Sequence, residues 1–252
     1  MSYTVRVNGV DYTGVSAVEL NTPDGEPVLF QAGGEKVLNM DAALLNAGGV
    51  YPADADDYTT AVIPAEATFV SLEAFNNLPN LDTLIVNGDC EFEVFEEYDN
   101  TTKASVSVNA ITKNRIPIRK LVVQNRTTDI PNQFMSGVGP LVEVEISGSL
   151  GSNTFYNCYY LKKAILENCN YIGNAAFYCC TNLREITIPA EVTSIGAGAF
   201  LGCQNLKTIT ILGMGTDVES ASIPPDTTIR AYAGSAAETY ANNNTYHFEV
   251  IE

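Results

Sequence analysis

One spacing of apolar residues, with members at the first, fourth and sixth positions of a short segment, recurs along this chain. Six copies are present: Leu81/Leu84/Val86, Ile118/Leu121/Val123, Leu141/Val144/Ile146, Leu161/Ala164/Leu166, Leu183/Ile186/Ile188 and Leu206/Ile209/Ile211. Their first members are separated by 37, 23, 20, 22 and 23 residues. A repeat of about 20–29 residues with one short strand predicts a solenoid of stacked coils. Equal positions should then lie side by side on parallel strands, about 4.8 Å apart.

Each repeat also contains a second apolar segment, which we call its second apolar station and which is centred on a phenylalanine. The phenylalanine recurs as Phe75, Phe134, Phe155, Phe177 and Phe200. Three positions later in the last three coils the residue is Cys158, Cys180 or Cys203. Because a buried unpaired cysteine behaves as a small hydrophobe, the pattern predicts a ladder of buried rings and a ladder of free thiols behind the strands.

The longest internal match ties these two stations into one repeat. Residues 63–86 align without a gap on residues 188–211, which read I-P-x-x-V-x-x-I-G-x-x-A-F-x-x-C-x-x-L-x-x-I-x-I. This pattern resembles the BspA-type leucine-rich repeat over about residues 63–250. The resemblance implies an α/β solenoid that is mostly β, a right-handed coil with parallel strands. It also implies a binding role, since many members of that family are bacterial surface proteins, and it brings no catalytic residues.

Four segments are predicted along the chain. They are a small β attachment unit at 1–34, a helix, linker and N-terminal cap at 35–62, the solenoid at 63–227 with an irregular insertion at 87–117, and a C-terminal cap at 228–252. The turn signals Asn8-Gly9 and Pro23–Gly25 each separate two apolar stretches, which predicts two strand pairs in the first unit. Apolar residues at helical spacing predict a helix over 36–47.

Two later segments are also predicted in outline. The insertion reads either as a strand pair that bulges from the coil or as a stretched repeat. In the C-terminal cap, Ser235 and Glu238 form the signature of a capping box that begins a helix. Phe248 and Val250 predict a last strand that closes the open edge of the sheet.

The opening of the chain carries a second resemblance. Its N-G-x-x-Y-x-G-V stretch, followed by a strand and a D-G turn, is similar to the N-terminal segments of some bacteriophage structural proteins that carry these repeats. That similarity implies a virion fibre, decoration or tail-associated protein. No basic and apolar leader opens the chain, so no secretory signal is expected. The alternative is a bacterial cell-surface adhesion or protein-interaction module.

The net charge of −17 is divided unevenly. Residues 1–102 hold 18 acidic and 2 basic residues, whereas 103–252 hold 12 and 11. Nucleic acid and anionic lipid would repel such an acidic front half, and no apolar run approaches the ~18 residues of a membrane span. We expect neither kind of partner. The partner should be a protein, in the virion or on the host, or a surface glycan, and a homo-oligomer is possible.

A row of basic residues is one candidate binding surface. Equal positions just before the strands hold Arg119, Val142, Lys162, Arg184 and Lys207, of which four are basic. The next row, from Lys120 through Glu143 and Lys163 to Glu185, alternates in charge and predicts lateral ion pairs between coils. A row of like charge adds no stability, so the basic row could bind an anionic partner, such as the acidic half of a neighbouring subunit. The alternative is a row of merely solvated basic ends.

Apolar and aromatic rows are further candidates. The outward strand row includes Val122 and Ile165 and is apolar enough to be covered by another chain. Tyr156 and Tyr178 follow the core phenylalanines and share a row with Met135 and Leu201, which predicts a strip suited to protein or glycan contact. The alternative is that these tyrosines are partly buried and stack between coils.

Catalysis, metal binding and cofactor binding are not expected. His247 is the only histidine and has no sequence-local partner for a triad. The chain contains no phosphate loop, dinucleotide fingerprint or G-x-S-x-G elbow. With one histidine and no C-x-x-C pair, a zinc site of the usual ligand types is not predicted.

Overall fold

The repeat spacing builds a stack of coils, each of which contributes a strand to a parallel sheet. The computed structural model of the protein describes residues 3–7, 10–15, 17–21, 27–31, 35–49, 58–71, 73–99, 104–109 and 116–252. The strands are β1 (Tyr3–Val7), β2 (Val10–Val15), β3 (Ala17–Asn21), β4 (Pro27–Gln31), β5 (Glu35–Asn39), β6 (Thr60–Ile63), β7 (Phe69–Val70), β8 (Thr83–Asn87), β9 (Glu91–Phe92), β10 (Val94–Asp99), β11 (Ala104–Asn109), β12 (Lys120–Gln124), β13 (Glu143–Ser147), β14 (Lys163–Glu167), β15 (Tyr171–Ile172), β16 (Glu185–Ile188), β17 (Ser194–Ile195), β18 (Thr208–Ile211), β19 (Asp217–Val218), β20 (Thr228–Ala231) and β21 (Phe248–Val250). The helices are α1 (Ala42–Asn46) and α2 (Ala236–Asn243).

All six predicted strand segments are strands, which confirms the solenoid. Leu121 of β12 lies opposite Leu84 of β8 and Val144 of β13, in the predicted parallel register. The strands fall into two main sheets rather than one shared sheet. An eight-stranded sheet has the order β14-β13-β12-β8-β6-β5-β4-β3, and a four-stranded sheet has the order β16-β18-β20-β21.

The two apolar stations of each coil form one continuous core. The inward strand residues and the five repeated phenylalanines are almost all fully buried. Phe177 stacks between Phe155 and Phe200, with ring centroids 5.3 Å apart on each side. Offset-stacked aromatic pairs at this distance add to the stabilisation that burial gives. The predicted ring ladder is confirmed.

The predicted thiol ladder is also present, and hydrogen bonds fix it. Cys158, Cys180 and Cys203 are buried free thiols. Each sulfur donates to a carbonyl oxygen of the preceding coil: Cys158 to Met135 at 3.2 Å, Cys180 to Phe155 at 3.3 Å and Cys203 to Phe177 at 3.0 Å. A serine-sized residue that is apolar and can donate one weak hydrogen bond suits this position, which explains why cysteine recurs there.

The insertion contains a strand pair, the first of the two predicted alternatives. Strands β10 and β11 pair antiparallel, with Val94 opposite Asn109. Before the pair begins, Phe92 of β9 enters the core. Its ring lies 6.3 Å from Phe75 and 5.1 Å from Phe134, so it bridges the ring ladder where no regular coil intervenes.

The N-terminal strand pairs are confirmed, and their position is an unexpected finding. Strands β1 and β2 pair antiparallel with Val7 opposite Val10, and β3 pairs antiparallel with β4. Strand β4 pairs in turn with β5, which lies parallel to β6 of the array. The second strand pair thus shares the sheet of the solenoid. A separate attachment role for residues 1–34 stays a prediction.

The helix predicted over 36–47 is wrong in its first half. Residues Glu35–Asn39 form β5, and only Ala42–Asn46 are helical. The amide of Met40 donates to the carbonyl oxygen of Val62 at 2.8 Å, and Val37 is buried. Pairing with β6 therefore outweighs the local helical spacing. Residues 50–57 of the predicted linker lie outside the described residues.

The C-terminal cap has the predicted parts. Ser235 begins α2 and accepts from the amide of Glu238 at 3.1 Å, while the carboxylate of Glu238 accepts from the amide of Gly234 at 2.6 Å. Strand β21 pairs parallel with β20, so that Phe248 lies opposite Ile229. The cap covers the last coil as the sequence indicates.

The stretch that carries the phenylalanine has an unusual backbone. Residues with left-handed backbone angles recur in it, including Asn153, Asn157, Ala175 and Cys179 with φ of 57°, 60°, 52° and 57°. The amides of Asn153, Phe155 and Asn157 donate to the carbonyl oxygens of Asn174, Ala176 and Tyr178 in the next coil, at 2.7–2.9 Å. Alternate amides on this side of the coil thus all point towards the C-terminal neighbour.

Candidate functional site

The strand face is interrupted between β14 and β16. At the regular junctions, two consecutive amides of one coil share a carbonyl oxygen of the coil before. The amides of Lys162 and Lys163 donate to Val142 at 2.8 and 3.2 Å, and those of Lys207 and Thr208 donate to Arg184 at 2.8 and 3.4 Å. Within the described residues, the Arg184 and Glu185 amides make no such bond to Lys162, and no ladder joins the two strands. We call this interruption the seam.

One sequence feature distinguishes the seam. Ala164 is the only undersized residue among the second inward positions of the six repeat copies, so less side-chain volume fills the core beneath β14. Leu166 and Ile186 beside the seam are 6% and 4% exposed, against 0% for Leu121 and Val144.

A groove of about 770 Å³ lies over the seam. Residues from four strands and the turns beside them line it: Lys162, Lys163, Ala164, Ile165, Leu166, Glu185, Ile186, Thr187, Pro189, Thr208, Thr210, Leu212 and Arg230. Its volume falls within the range of about 300–1,000 Å³ that is typical of ligand sites. The groove is therefore the leading candidate for a functional site in the described part of the chain.

The predicted lateral ion pairs hold up to the seam and stop there. Glu143 accepts from Lys163 at 2.7 Å and lies 3.9 Å from Lys120. The hydrogen bond from Lys163, followed by the charge of Lys120, lowers the pKa of Glu143 against the opposing effect of burial. Glu185 is the next member of the row, yet no ion pair joins it to Lys163 among the described residues. The seam leaves Glu185 as an exposed carboxylate on the groove wall.

The basic row is split between paired and unpaired members. Arg119 lies 4.0 Å from Asp82. Lys162, Arg184 and Lys207 are exposed and form no ion pair with any residue that the structure describes. Lys162 lines the groove, while Arg184 and Lys207 lie just before β16 and β18 at its rim. Their role in binding stays a prediction.

The apolar candidates do not all reach the groove. Val122 and Ile165 are half-buried on the outward face of the eight-stranded sheet, separated by the row position of Glu145. Ile165 lies on the seam side and lines the groove, and Val122 lies two strands away. The structure thus brings Lys162 and Ile165 together, with Arg184 and Lys207 nearby.

The tyrosine candidates form a second surface, on the stretch that carries the phenylalanines. Tyr156 and Tyr178 stack with ring centroids 4.8 Å apart and planes 6° from parallel. Nearby in the sequence, Tyr159, Tyr160 and Leu201 are 46%, 59% and 42% exposed. Tyr156 and Tyr178 are half-buried, as the stacking alternative predicted. The predicted place of Met135 in this strip is wrong: Met135 is 1% exposed, because its adaptable thioether packs into the core.

Several groove residues were missed at the level of sequence. Lys163 was assigned only to lateral pairing, and Thr187, Thr208, Thr210 and Arg230 were not singled out as binding residues. The hydroxyls of the three threonines have no hydrogen-bond partner within the described residues. The alanine at position 164, the single small residue in its row, was the signal that could have located this site.

The part of the chain that the structure describes contains no cluster of three or more histidine, cysteine, aspartate or glutamate residues that could hold a metal ion. Neither α1 nor α2, the helices of the described residues, is long and apolar enough to cross a membrane.

The stacked coils, parallel strands and ring ladder define a leucine-rich-repeat solenoid. Residues 104–223 match the family model of the BspA type leucine rich repeat region, in 6 copies. This match assigns BspA-type leucine-rich repeats to residues 104–223 of the chain. A search of curated proteins finds no match to the chain.

Solved structures align with the chain at low sequence identity and low TM-score. A leucine-rich repeat protein from Bacteroides ovatus aligns over 96% of this chain and 77% of its own, at 11% identity and a TM-score of 0.42. A leucine rich cell surface protein from Faecalibacterium prausnitzii aligns over 77% and 48%, at 20% identity and a TM-score of 0.37. The pneumococcal vaccine antigen PcpA aligns over 98% and 49%, at 16% identity and a TM-score of 0.42. The chain spans about half the length of the last two.

Proposed function

We propose that this protein is a non-enzymatic binding module that docks another protein on the strand face of its C-terminal coils. The groove over the seam carries this proposal. It combines apolar side chains with one cation, Lys162, and three threonine hydroxyls that have no partner among the described residues. Protein interfaces favour such a mixture of apolar contact and a few polar groups that fix orientation.

Site-specific photo-crosslinking of the full-length protein tests this function. A photo-crosslinking amino acid in place of Ile165 lies in the groove, and the same amino acid in place of Glu191 lies on an exposed turn outside it. With extracts of the native source, we expect a discrete protein adduct from position 165 and none from position 191. Equal adducts at both positions, or none at either, would contradict the proposal.

The setting in which the module works is a bacterial cell surface, the alternative that the repeat class implies. The virion role of residues 1–34 stays a prediction that rests on the opening of the chain alone. Immunogold labelling of producing cells and of any phage particles they release separates the two settings. Gold on the cell envelope supports adhesion, and gold confined to particles would replace it with the virion role.

A further inference from the structure

The seam leaves backbone groups exposed that every regular junction satisfies. The amides of Arg184 and Glu185 have no acceptor among the described residues, whereas the equivalent amides of Lys162 and Lys163 share one carbonyl oxygen. An unsatisfied backbone amide at a partly desolvated site costs free energy, which an incoming acceptor would recover. The N-terminal end of β16, beside the groove, thus carries two backbone donors that lack an acceptor among the described residues.

The width of the seam restricts what can enter it. Cα atoms of β14 and β16 approach within 8 Å of each other. Insertion of a further strand would need about 9.6 Å between them, twice the strand spacing of ~4.8 Å. The gap is therefore too narrow for an added strand. The partner therefore lies across the groove and sends side chains into it.

The charge of the lining selects the kind of side chain. Lys162, Lys163 and Arg230 line the groove with only one acid, Glu185. Arg230 pairs with Glu249 and Lys163 pairs with Glu143, which leaves Lys162 without a counter-ion in the described residues. Arg184 and Lys207, which directly precede β16 and β18, add two cations that form no ion pair with any described residue. A carboxylate accepts from backbone amides and from cations alike, and charge-assisted hydrogen bonds of this kind are the strong ones.

We propose, on the basis of the binding function above, that the seam is a docking slot for an extended acidic segment of a foreign protein, with one carboxylate placed against the Arg184 and Glu185 amides and Lys162. The hydroxyls of Thr187 and Thr210 hold the neighbouring backbone of that segment. We expect a sugar to bind the groove less tightly than an acidic segment, because no aromatic side chain lines the groove to stack on a sugar ring. A second copy of this chain is a separate outcome, which sedimentation detects.

Fluorescence anisotropy with the full-length protein tests the slot. The probe is a fluorescein-labelled peptide of alternating glutamate and serine, and the matched probe has glutamine in place of glutamate. At about 50 mM salt, where exposed charges interact over a long range, we expect the glutamate peptide to bind at least about tenfold more tightly than the glutamine peptide.

Paired variants separate the slot from general attraction. Lys162→Gln/Arg184→Gln should weaken binding of the glutamate peptide about tenfold. Lys36→Gln/Lys120→Gln changes the net charge equally at residues that already have partners (Tyr58 and Glu145), so its affinity should stay within about twofold. Glu185→Gln removes a carboxylate that repels the glutamate peptide, so this variant should bind the peptide more tightly. Glu167 is exposed at the end of β14 but does not line the groove, so Glu167→Gln should leave the affinity unchanged.

Four results would overturn the slot. The first two are equal affinity for the two peptides and equal loss of affinity in the two double variants. The third is binding of an oligogalacturonate but not of the glutamate peptide. The fourth is self-association in sedimentation that Lys162→Gln/Arg184→Gln abolishes, which would assign the slot to a second copy. Loss of the slot leaves the proposed function standing if the photo-crosslinked adduct at position 165 is still found. Absence of that adduct together with tight peptide binding would contradict the proposed function instead.

Discussion

Arg126 lies against Asp89 with its Nε 3.7 Å from Oδ1, and the pair joins the coil before the insertion to the coil after it. The Arg126 side chain is only 2% exposed. It donates from Nη1 to the carbonyl oxygens of Gly88 and Cys90, both at 3.2 Å. One guanidinium therefore satisfies backbone groups that the long insertion would otherwise leave without partners.

We expect Arg126→Gln to lower the free energy of unfolding by about 1–3 kcal/mol, because buried carbonyl oxygens lose their donors. Urea denaturation of the full-length variant measures the change. Arg119→Gln is the matched control, since Arg119 is exposed and its pairing with Asp82 should contribute less than about 1 kcal/mol. Equal losses in the two variants would show that Arg126 does not act as a structural link.

Stability should also depend on pH through Asp89. Hydrogen bonds to its carboxylate, first from the Thr127 hydroxyl and then from Thr128, hold the pKa of Asp89 well below its usual range despite some burial. A pKa lowered in the folded state stabilises the protein fully above the unfolded value of about 3.9 and loses this effect as the pH falls. The difference in urea midpoint between the wild type and Asp89→Asn should therefore be constant above about pH 5 and shrink below it. A constant difference down to about pH 3 would contradict this role for Asp89.

Removal of one ring from the phenylalanine ladder should be costly. Phe177 is fully buried between Phe155 and Phe200. Phe177→Ala should lower the free energy of unfolding by about 3–5 kcal/mol, since it removes a large apolar side chain and leaves a cavity. Tyr160→Ala, at a side chain 59% exposed, should change it by less than about 0.5 kcal/mol. Thermal or urea unfolding followed by circular dichroism gives both values.

The thiols should differ sharply in reactivity. Five of the six cysteines are buried, and only Cys179 is partly exposed. Burial raises the pKa of Cys158 to about 12 and also raises that of Cys179. At about pH 8, Ellman's reagent should modify Cys179 slowly in the native protein and every cysteine in guanidinium. Cys179→Ser should abolish the native reaction, and Cys203→Ser should leave it intact. Rapid modification of several thiols in the native state would show that the coils open.

The seam predicts a local pattern of hydrogen exchange. The amides of Arg184 and Glu185 should exchange at least about tenfold faster than those of Lys162 and Lys163, because only the latter pair is bonded to the preceding coil. Residue-resolved exchange by nuclear magnetic resonance measures both pairs in one sample. Similar protection at the two positions would mean that β14 and β16 pair in solution and that the groove floor has no free donors.

Sequence periodicity predicted most of the coil interior, because burial there repeats with the same spacing as the residues. The strands around Leu84, Leu121 and Ile209, the ring ladder and the thiol ladder all follow from equal positions in successive repeats. The capping box at Ser235 could also be predicted from the sequence, since it depends on two residues three positions apart. Local patterns with a local cause are the ones that sequence reveals.

The seam and the Arg126 link were not predicted, because each depends on how unequal coils meet. Ala164 is apolar like its counterparts in the other repeats, so its small size alone does not predict a break. The break becomes visible only in the structure, where β16 does not pair with β14. Arg126 sits in a turn, and its partners at Gly88 and Cys90 lie across a long insertion. The start of β5 was mistaken for a helix for a similar reason, since its pairing with β6 is invisible to helical spacing.

The one-way orientation of the amides beside the phenylalanines has a consequence for how the molecule can evolve. Donors such as the Phe155 amide face one neighbour, and acceptors such as the Ala176 carbonyl oxygen face the other. Any two regular coils are therefore compatible in only one order, head to tail. Duplication or loss of a whole regular coil keeps that match and leaves both ends covered, so the length of the strand face can change without redesign of the interior.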